Sequence, residues 1–178
     1  DPLDGTKEFI NRNNEFTINI ALINDNSPIL GIIYAPCIDK IYFAATGIGA
    51  YSKKINIRDE KFSLDNNLRL QINRVNKEKE LKIICSRSHR NSEKLNEWLK
   101  LQDKYKLNYS GSSIKFCLIA EGKADVYPRF RPTSEWDIAA GHCILKEAGG
   151  NIKTLDGDEI KYNQKESVIN PNFIASIN

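Results

Sequence analysis

Asp1-Pro2-Leu3-Asp4-Gly5-Thr6 sets two carboxylates three residues apart, with a proline between them and a Gly-Thr pair closing the run. Pro2 fixes its own φ and holds Asp1 extended, while Gly5 permits a backbone reversal that a side chain resists. Such a turn directs two carboxylates, a backbone carbonyl and a hydroxyl into one small space. Hard oxygen ligands of that kind suit Mg²⁺, which takes few carboxylates and keeps waters or substrate phosphates in its other positions. The same letters also describe an ordinary surface turn or a loose Ca²⁺ loop. A third acid stands far downstream, in Ser134-Glu135-Trp136-Asp137. There Ser134 reads as a helix N-cap and Asp137 as the acid of a capping box, with Asp in place of Glu. Capping alone accounts for it, because a helix dipole favours a first-turn carboxylate by roughly 0.3–1 kcal/mol. Its other use is as a third metal carboxylate, mounted on a rigid helix.

Groups suited to an anion lie between these acids. Gly111-Ser112-Ser113 precedes a helical run, where its N–H groups could meet a phosphate or its serines could cap the helix. Lys115 is either a point charge for a phosphate or a solvated helix residue. Arg129 can grip phosphate bidentately, or stand beside Arg131 as a surface pair. His89, flanked by Arg87 and Arg90, reads as an exposed loop histidine unless a ligand reaches it. Trp136 suits packing better than base stacking, and Cys117 and Cys143 read as core.

Periodicity supplies the elements that must carry these residues. Phe16 to Ile23 alternates as a strand, with Phe16, Ile18, Ile20 and Leu22 on one face. A turn cluster at Asn24 to Pro28 leads to a strand over Ile29 to Ala35, and another turn leads to Ile41 to Ala45. Short turns between successive strands predict an antiparallel meander. Gly47-Ile48-Gly49-Ala50-Tyr51 lacks a following helix and reads as a turn and bulge, not a dinucleotide site. Lys53 to Glu80 is charged and weakly patterned, an edge strand and connecting loop. That composition shift divides the chain into 1–78 and 79–178. Beyond it the pattern predicts strands at Leu81 to Cys85, Leu107 to Ser110 and Val126-Tyr127. It also predicts helices at Ser92 to Leu101, Ser113 to Gly122 and Ser134 to Ala148. Short strands follow at Asn151 to Leu155, Ile160 to Tyr162 and Phe173 to Ile177. The fold class is therefore α/β, a meander followed by a mixed α/β half.

Bulk properties narrow the function. The 178 residues are 40% hydrophobic and 28% charged, a globular composition with room for a core. Lys+Arg 26 against Asp+Glu 23 leaves +3, too mild and too scattered for a nucleic-acid polymer. Cys37, Cys85, Cys117 and Cys143 form no C-x-x-C pair, which argues against zinc and disulfides and for buried reduced thiols in the cytoplasm. No apolar run approaches the ~20 residues of a membrane span. The chain contains no Met and starts inside its strongest motif, so the reading is a fragment that lacks an N-terminal part.

Asp1-Pro2-Leu3-Asp4-Gly5-Thr6, with Trp136-Asp137-Ile138-Ala139-Ala140-Gly141 and Glu147-Ala148-Gly149-Gly150, resembles the paired signatures of the inositol monophosphatase superfamily. Lys7-Glu8-Phe9, Ser86-Arg87-Ser88-His89, Gly111-Ser112-Ser113-Ile114-Lys115-Phe116 and Tyr127-Pro128-Arg129-Phe130 resemble its 3'(2'),5'-bisphosphate nucleotidase branch. The resemblance implies a layered sandwich and a lithium-sensitive, Mg²⁺-dependent phosphatase acting on a small phosphorylated nucleotide. It further implies a cytoplasmic enzyme, with peripheral attachment at the inner membrane as a variant. Asp1 would bridge metals, the Leu3 carbonyl would complete a metal shell, and Asp4 and Asp137 would hold a second ion. Thr6 would orient the attacking water, and the Gly5 and Thr6 amides would meet the phosphate. Gly111, Ser112, Ser113, Lys115 and Arg129, with Ser86 and His89, would contact the nucleotide and its second phosphate. The family's pattern also places a ligand Glu and an acidic pair ahead of the Asp-Pro motif, and none precedes Asp1 here. The chain alone is therefore expected to bind metal poorly and to leave apolar sheet surface exposed.

Overall fold

The structure is a computed structural model that describes residues 1–55, 68–72, 80–87, 92–164 and 166–177. A short helix, α1 (Thr6–Ile10), follows the opening loop. Five strands then run in chain order as one antiparallel sheet: β1 (Ile18–Asn24), β2 (Ser27–Ala35), β3 (Lys40–Ala45), β4 (Gly49–Lys54) and β5 (Arg69–Leu70). This is the expected meander. The β1–β2 connection turns on Asp25 and Asn26, both left-handed at φ 45 and 63. Such a turn matches the strand twist, and Asp and Asn tolerate the conformation. The glycine segment corrects the reading of a bulge. Gly47 and Ile48 form the turn, while Gly49, Ala50 and Tyr51 pair in unbroken register with Ala45, Ala44 and Phe43. The irregularity lies instead between Leu22 and Ile23 in β1.

The second sheet has the order β7-β6-β8-β10-β9. Here β6 (Leu81–Ser86) is parallel to β7 (Tyr105–Ser110) and to β8 (Val126–Arg129). β10 (Phe173–Ile177) runs antiparallel to both β8 and β9 (Gly150–Thr154). Three helices accompany this sheet: α2 (Glu93–Lys100), α3 (Ile114–Ala120) and α4 (Glu135–Glu147). Ile160 to Tyr162 is not a strand. Only Glu159 bridges to Lys153, while Ile160 and Tyr162 are held by burial in the core. The division expected at 78/79 falls outside the described residues.

The layers explain how distant parts of the chain meet. α3 and α4 lie between the two sheets. One side of them packs Cys117, Ala140, Cys143 and Ile144 against Ile33, Tyr42, Ala44 and Ala50 of the first sheet. Their other side packs Phe116, Ile119, Ile138 and Leu145 against Tyr127, Ile152, Phe173 and Ala175. α2 covers the far face of the second sheet through Leu95 and Leu99 against Ile83, Cys85 and Val126. Burial of each large apolar side chain is worth about 1.5–3 kcal/mol. The close approach of α3 to α4 depends on Gly141, where a Cβ would lie 2.4 Å from the Phe116 ring. Cys85, Cys117 and Cys143 are buried free thiols as expected, but Cys37 is exposed.

Candidate functional site

The opening loop is pinned along the start of β1 by backbone pairing. Asp4 N donates to Thr17 O at 2.9 Å, Thr17 N returns a bond to Asp4 O at 3.0 Å, and Asn19 N donates to Asp1 O at 2.8 Å. The Asp1 amine completes the pairing with Asn19 O at 2.9 Å. Inside the loop, Leu3 N donates to Asp1 Oδ1 at 2.9 Å, and Gly5 adopts φ 85 to cap α1. The Thr6 hydroxyl reaches back to the Leu3 carbonyl at 3.4 Å. Asp4 Oδ2 accepts longer bonds from Asn19 Nδ2 at 3.4 Å and from the Thr17 hydroxyl at 3.5 Å.

Asp137 arrives from α4. Its Oδ2 accepts the Ser134 N–H at 2.8 Å, and Ser134 returns the second bond of a capping box. It also joins the opening loop: one carboxylate oxygen from each of Asp1, Asp4 and Asp137 lies within 4.8 Å of the others. Capping and clustering therefore coexist in one side chain. Burial, opposed by the Ser134 bond and reinforced by Asp4, raises the Asp137 pKa above the usual carboxylate value. All three acids are half-buried, and their oxygens form the hard anionic donor set that suits Mg²⁺. A divalent cation fits this arrangement because it offsets both the repulsion and the lost hydration of the carboxylates.

A cleft of about 200 Å³ opens beside the acids. From the opening half it is lined by Asp4, Gly5 and Thr6. From the second half come Ser86, Ser112, Lys115, Arg129 and Asp137. Ser112 is left-handed at φ 44. Lys115 is buried, with its ammonium donating to the Ser112 carbonyl and, at 3.5 Å, to that of Ser110. The same ammonium stands 5.1 Å from the centroid of the Tyr127 ring. Burial first, then the neighbouring Arg129, lowers the Lys115 pKa to about 8, against the pull of Asp4. Arg129 spends Nε on Arg131 O at 3.1 Å and Nη2 on Pro132 O at 3.2 Å, which braces its guanidinium at the rim.

Other expected residues lie elsewhere. Asp1 does not line this cleft but borders a second hollow of about 490 Å³, shared with Trp136, which is half exposed and not packed in the core. Ser113 is 1% exposed, and its hydroxyl is committed to Asn19 Oδ1 at 2.7 Å and Thr17 Oγ1 at 2.8 Å. It sits beneath the cleft and steadies the strand under Asp4. Gly111 and Leu3 do not line the cleft, although Gly111 adjoins Ser112 and Leu3 joins Asp1 to Asp4. His89 lies outside the described residues. Thr17 and Asn19 escaped the sequence reading, although they were legible as polar residues in the second phase of an alternating strand. Both are almost completely buried. Glu8 and Lys7 also line the cleft.

The profile described as the inositol monophosphatase family matches residues 1–177. The 3'(2'),5'-bisphosphate nucleotidase CysQ of Salmonella typhimurium is 43% identical, over 99% of this chain and 66% of its own length. The corresponding protein of Buchnera aphidicola is 46% identical, over 99% of this chain and 62% of its own. The chain thus spans about two thirds of the curated relatives it matches. The crystal structure of CysQ from Bacteroides thetaiotaomicron, described as a bacterial member of the same family, superposes with a TM-score of 0.88. It shares 43% identity and covers 99% of this chain and 68% of the other. In sequence and in fold, the chain belongs to the inositol monophosphatase family.

Proposed function

We propose that the protein carrying this chain is a Mg²⁺-dependent phosphatase that hydrolyses the 3'-phosphate of adenosine 3',5'-bisphosphate, giving AMP and phosphate. The observation that carries this reading is the meeting of Asp1, Asp4 and Asp137 oxygens within 4.8 Å at a cleft that also presents Lys115 and Arg129. Asp1, Asp4 and Asp137, with the Leu3 carbonyl, would hold the cation. Bound Mg²⁺ would supply the positive charge that stabilises developing oxyanions in phosphoryl transfer and would acidify water. Residues 1–78 bring two of the acids, and residues 79–178 bring the third together with the anion-binding groups.

The chain's own residues divide the remaining work. The Thr6 hydroxyl, anchored on Leu3 O, orients water on the scissile phosphate, and the Gly5 and Thr6 amides face its oxygens. Water adds to phosphorus and gives up a proton, the bond to the ribose 3'-oxygen breaks, and that oxygen leaves as the hydroxyl by taking a proton from solvent, so AMP and phosphate are the products. Ser86, Ser112 and Arg129 line the part of the cleft where a nucleotide and its second phosphate would lie, with His89 as a further candidate. Lys115 contributes charge from below, since a pKa of about 8 leaves it mostly protonated at neutral pH. Buried free thiols and a small diffusible substrate suit an enzyme of the cytoplasm. No described helix is long and apolar enough to cross a membrane.

The test is phosphate release from adenosine 3',5'-bisphosphate and from inositol 1-phosphate, with Mg²⁺ and with a chelator. Faster release from the nucleotide, stopped by chelation and by Asp137→Asn, is expected. Preference for inositol 1-phosphate would reassign the substrate to the inositol branch of the family. Undiminished turnover in Asp137→Asn would remove the cation site itself.

A further inference from the structure

Glu15 and Arg87 lie beside the cleft without lining it. Glu15 belongs to the segment between α1 and β1, and Arg87 follows β6. The guanidinium grips the carboxylate with both arms, Nε to Oε2 at 2.7 Å and Nη2 to Oε1 at 2.6 Å. Each partner has a second commitment. Arg87 Nη2 donates to Tyr109 O at 3.2 Å, and Glu15 Oε2 accepts the backbone N–H of Gly111 at 2.9 Å. Gly111 is seated so closely that a Cβ there would lie 2.4 Å from Glu8 Cγ and 3.0 Å from Glu15 Cβ. The next residue, Ser112, holds a left-handed backbone, lines the cleft and offers its carbonyl to Lys115.

We propose that Glu15 and Arg87 are a positioning pair: the Glu15 carboxylate holds the Gly111-Ser112 turn, and Arg87 holds Glu15. Through them the wall of the cleft supplied by the second sheet is locked to the chain segment that carries Asp1 and Asp4. A partly exposed ion pair contributes little by itself, but a bidentate one that also accepts a backbone N–H fixes direction as well as distance. The identity of the molecule held by that wall rests on the function proposed above, whereas the locking of Gly111 does not.

The experiment compares Arg87→Lys, Glu15→Gln, Glu15→Ala and the exchanged pair Glu15→Arg/Arg87→Glu in the protein carrying this chain. Amide exchange of Gly111 is followed by NMR, and kinetics by phosphate release from adenosine 3',5'-bisphosphate. Arg87→Lys is expected to raise KM about tenfold, the scale of one charge-assisted hydrogen bond, and to leave kcat within about twofold. The exchanged pair restores opposite charges and recovers melting temperature, but an arginine at 15 cannot accept an N–H. Gly111 protection and KM therefore stay impaired. Recovery of both in the exchanged pair, or an unchanged KM in Arg87→Lys, overturns the proposal. If the wild type releases no phosphate from this nucleotide, the proposed function fails separately. Gly111 protection kept in Glu15→Gln and lost in Glu15→Ala then still supports the positioning pair, and protection kept in both overturns it.

Discussion

His142 sits inside the molecule with Nδ1 2.8 Å from the Tyr162 hydroxyl. Burial first, then the charge of Lys146, pushes its pKa down from 6.5 to about 4. Between those two values the unfolded chain takes up a proton that the folded protein refuses, so stability rises with pH across the window. Stability is accordingly lost as pH falls from 6.5 towards about 4, by up to a few kcal/mol. Melting curves across that range should show the slope, and His142→Asn should flatten it. An equal slope in the variant would assign the acid sensitivity to other groups. Asp137 works in the opposite sense. Its raised pKa means that the folded state holds its proton more tightly, so ionising the carboxylate near its companions opposes folding, a cost that the proposed cation would offset.

α4 connects the site to the core at both ends. Its first turn carries the capping box and Asp137. Near its last turn, Glu147 Oε2 accepts both Gly47 N and Gly49 N at 3.1 Å. A carboxylate near a helix C-terminus is disfavoured by the dipole, and these two N–H bonds to the β3–β4 turn offset that. The helix is thereby nailed to the first sheet while its N-terminus faces the opening loop. Gly141 in its middle shows which force governs. Helix propensity favours Ala over Gly by about 1 kcal/mol, yet a Cβ at 141 would meet Phe116 at 2.4 Å. Overpacking of that kind costs about 1–3 kcal/mol, so Gly141→Ala should lower stability in a denaturant titration. A stabilised variant would mean that α3 can retreat without penalty.

The layers of the molecule end unevenly. α2 shields the outer face of the second sheet, but the first sheet shows water its outward phase, with Ile20 56% and Leu22 54% exposed. The neighbouring Leu30, Ile32, Phe43 and Ile48 surround an apolar hollow of about 340 Å³. Contiguous apolar surface of this sort binds hydrophobic dyes and promotes association. Ile20→Lys with Leu22→Lys should reduce dye fluorescence and aggregation of this chain. Stability should change by less than about 1 kcal/mol, because both side chains are already more than half in water. A large loss of stability would show that the face is covered in solution.

Local chemistry was enough to read several parts of this protein before its shape was known. Asp1 to Thr6 spelled a rigid acidic turn, Ser134 and Asp137 spelled a cap, and Asp25-Asn26 marked a hairpin, because each depends on a few neighbouring residues. The alternation of β1 was equally plain, but its orientation was not. The apolar phase of Ile20 and Leu22 points outward, and Thr17 and Asn19 point inward to meet Ser113. Periodicity specifies that a strand has two faces, whereas what packs on each face is decided by layers from elsewhere in the chain. The same holds for Ser113, whose partners lie in β1 and just before it, and for the grip of Glu15 on Arg87 and Gly111. These contacts join segments with no shared local pattern, so only folding the two sheets around α3 and α4 could bring them within hydrogen-bond reach.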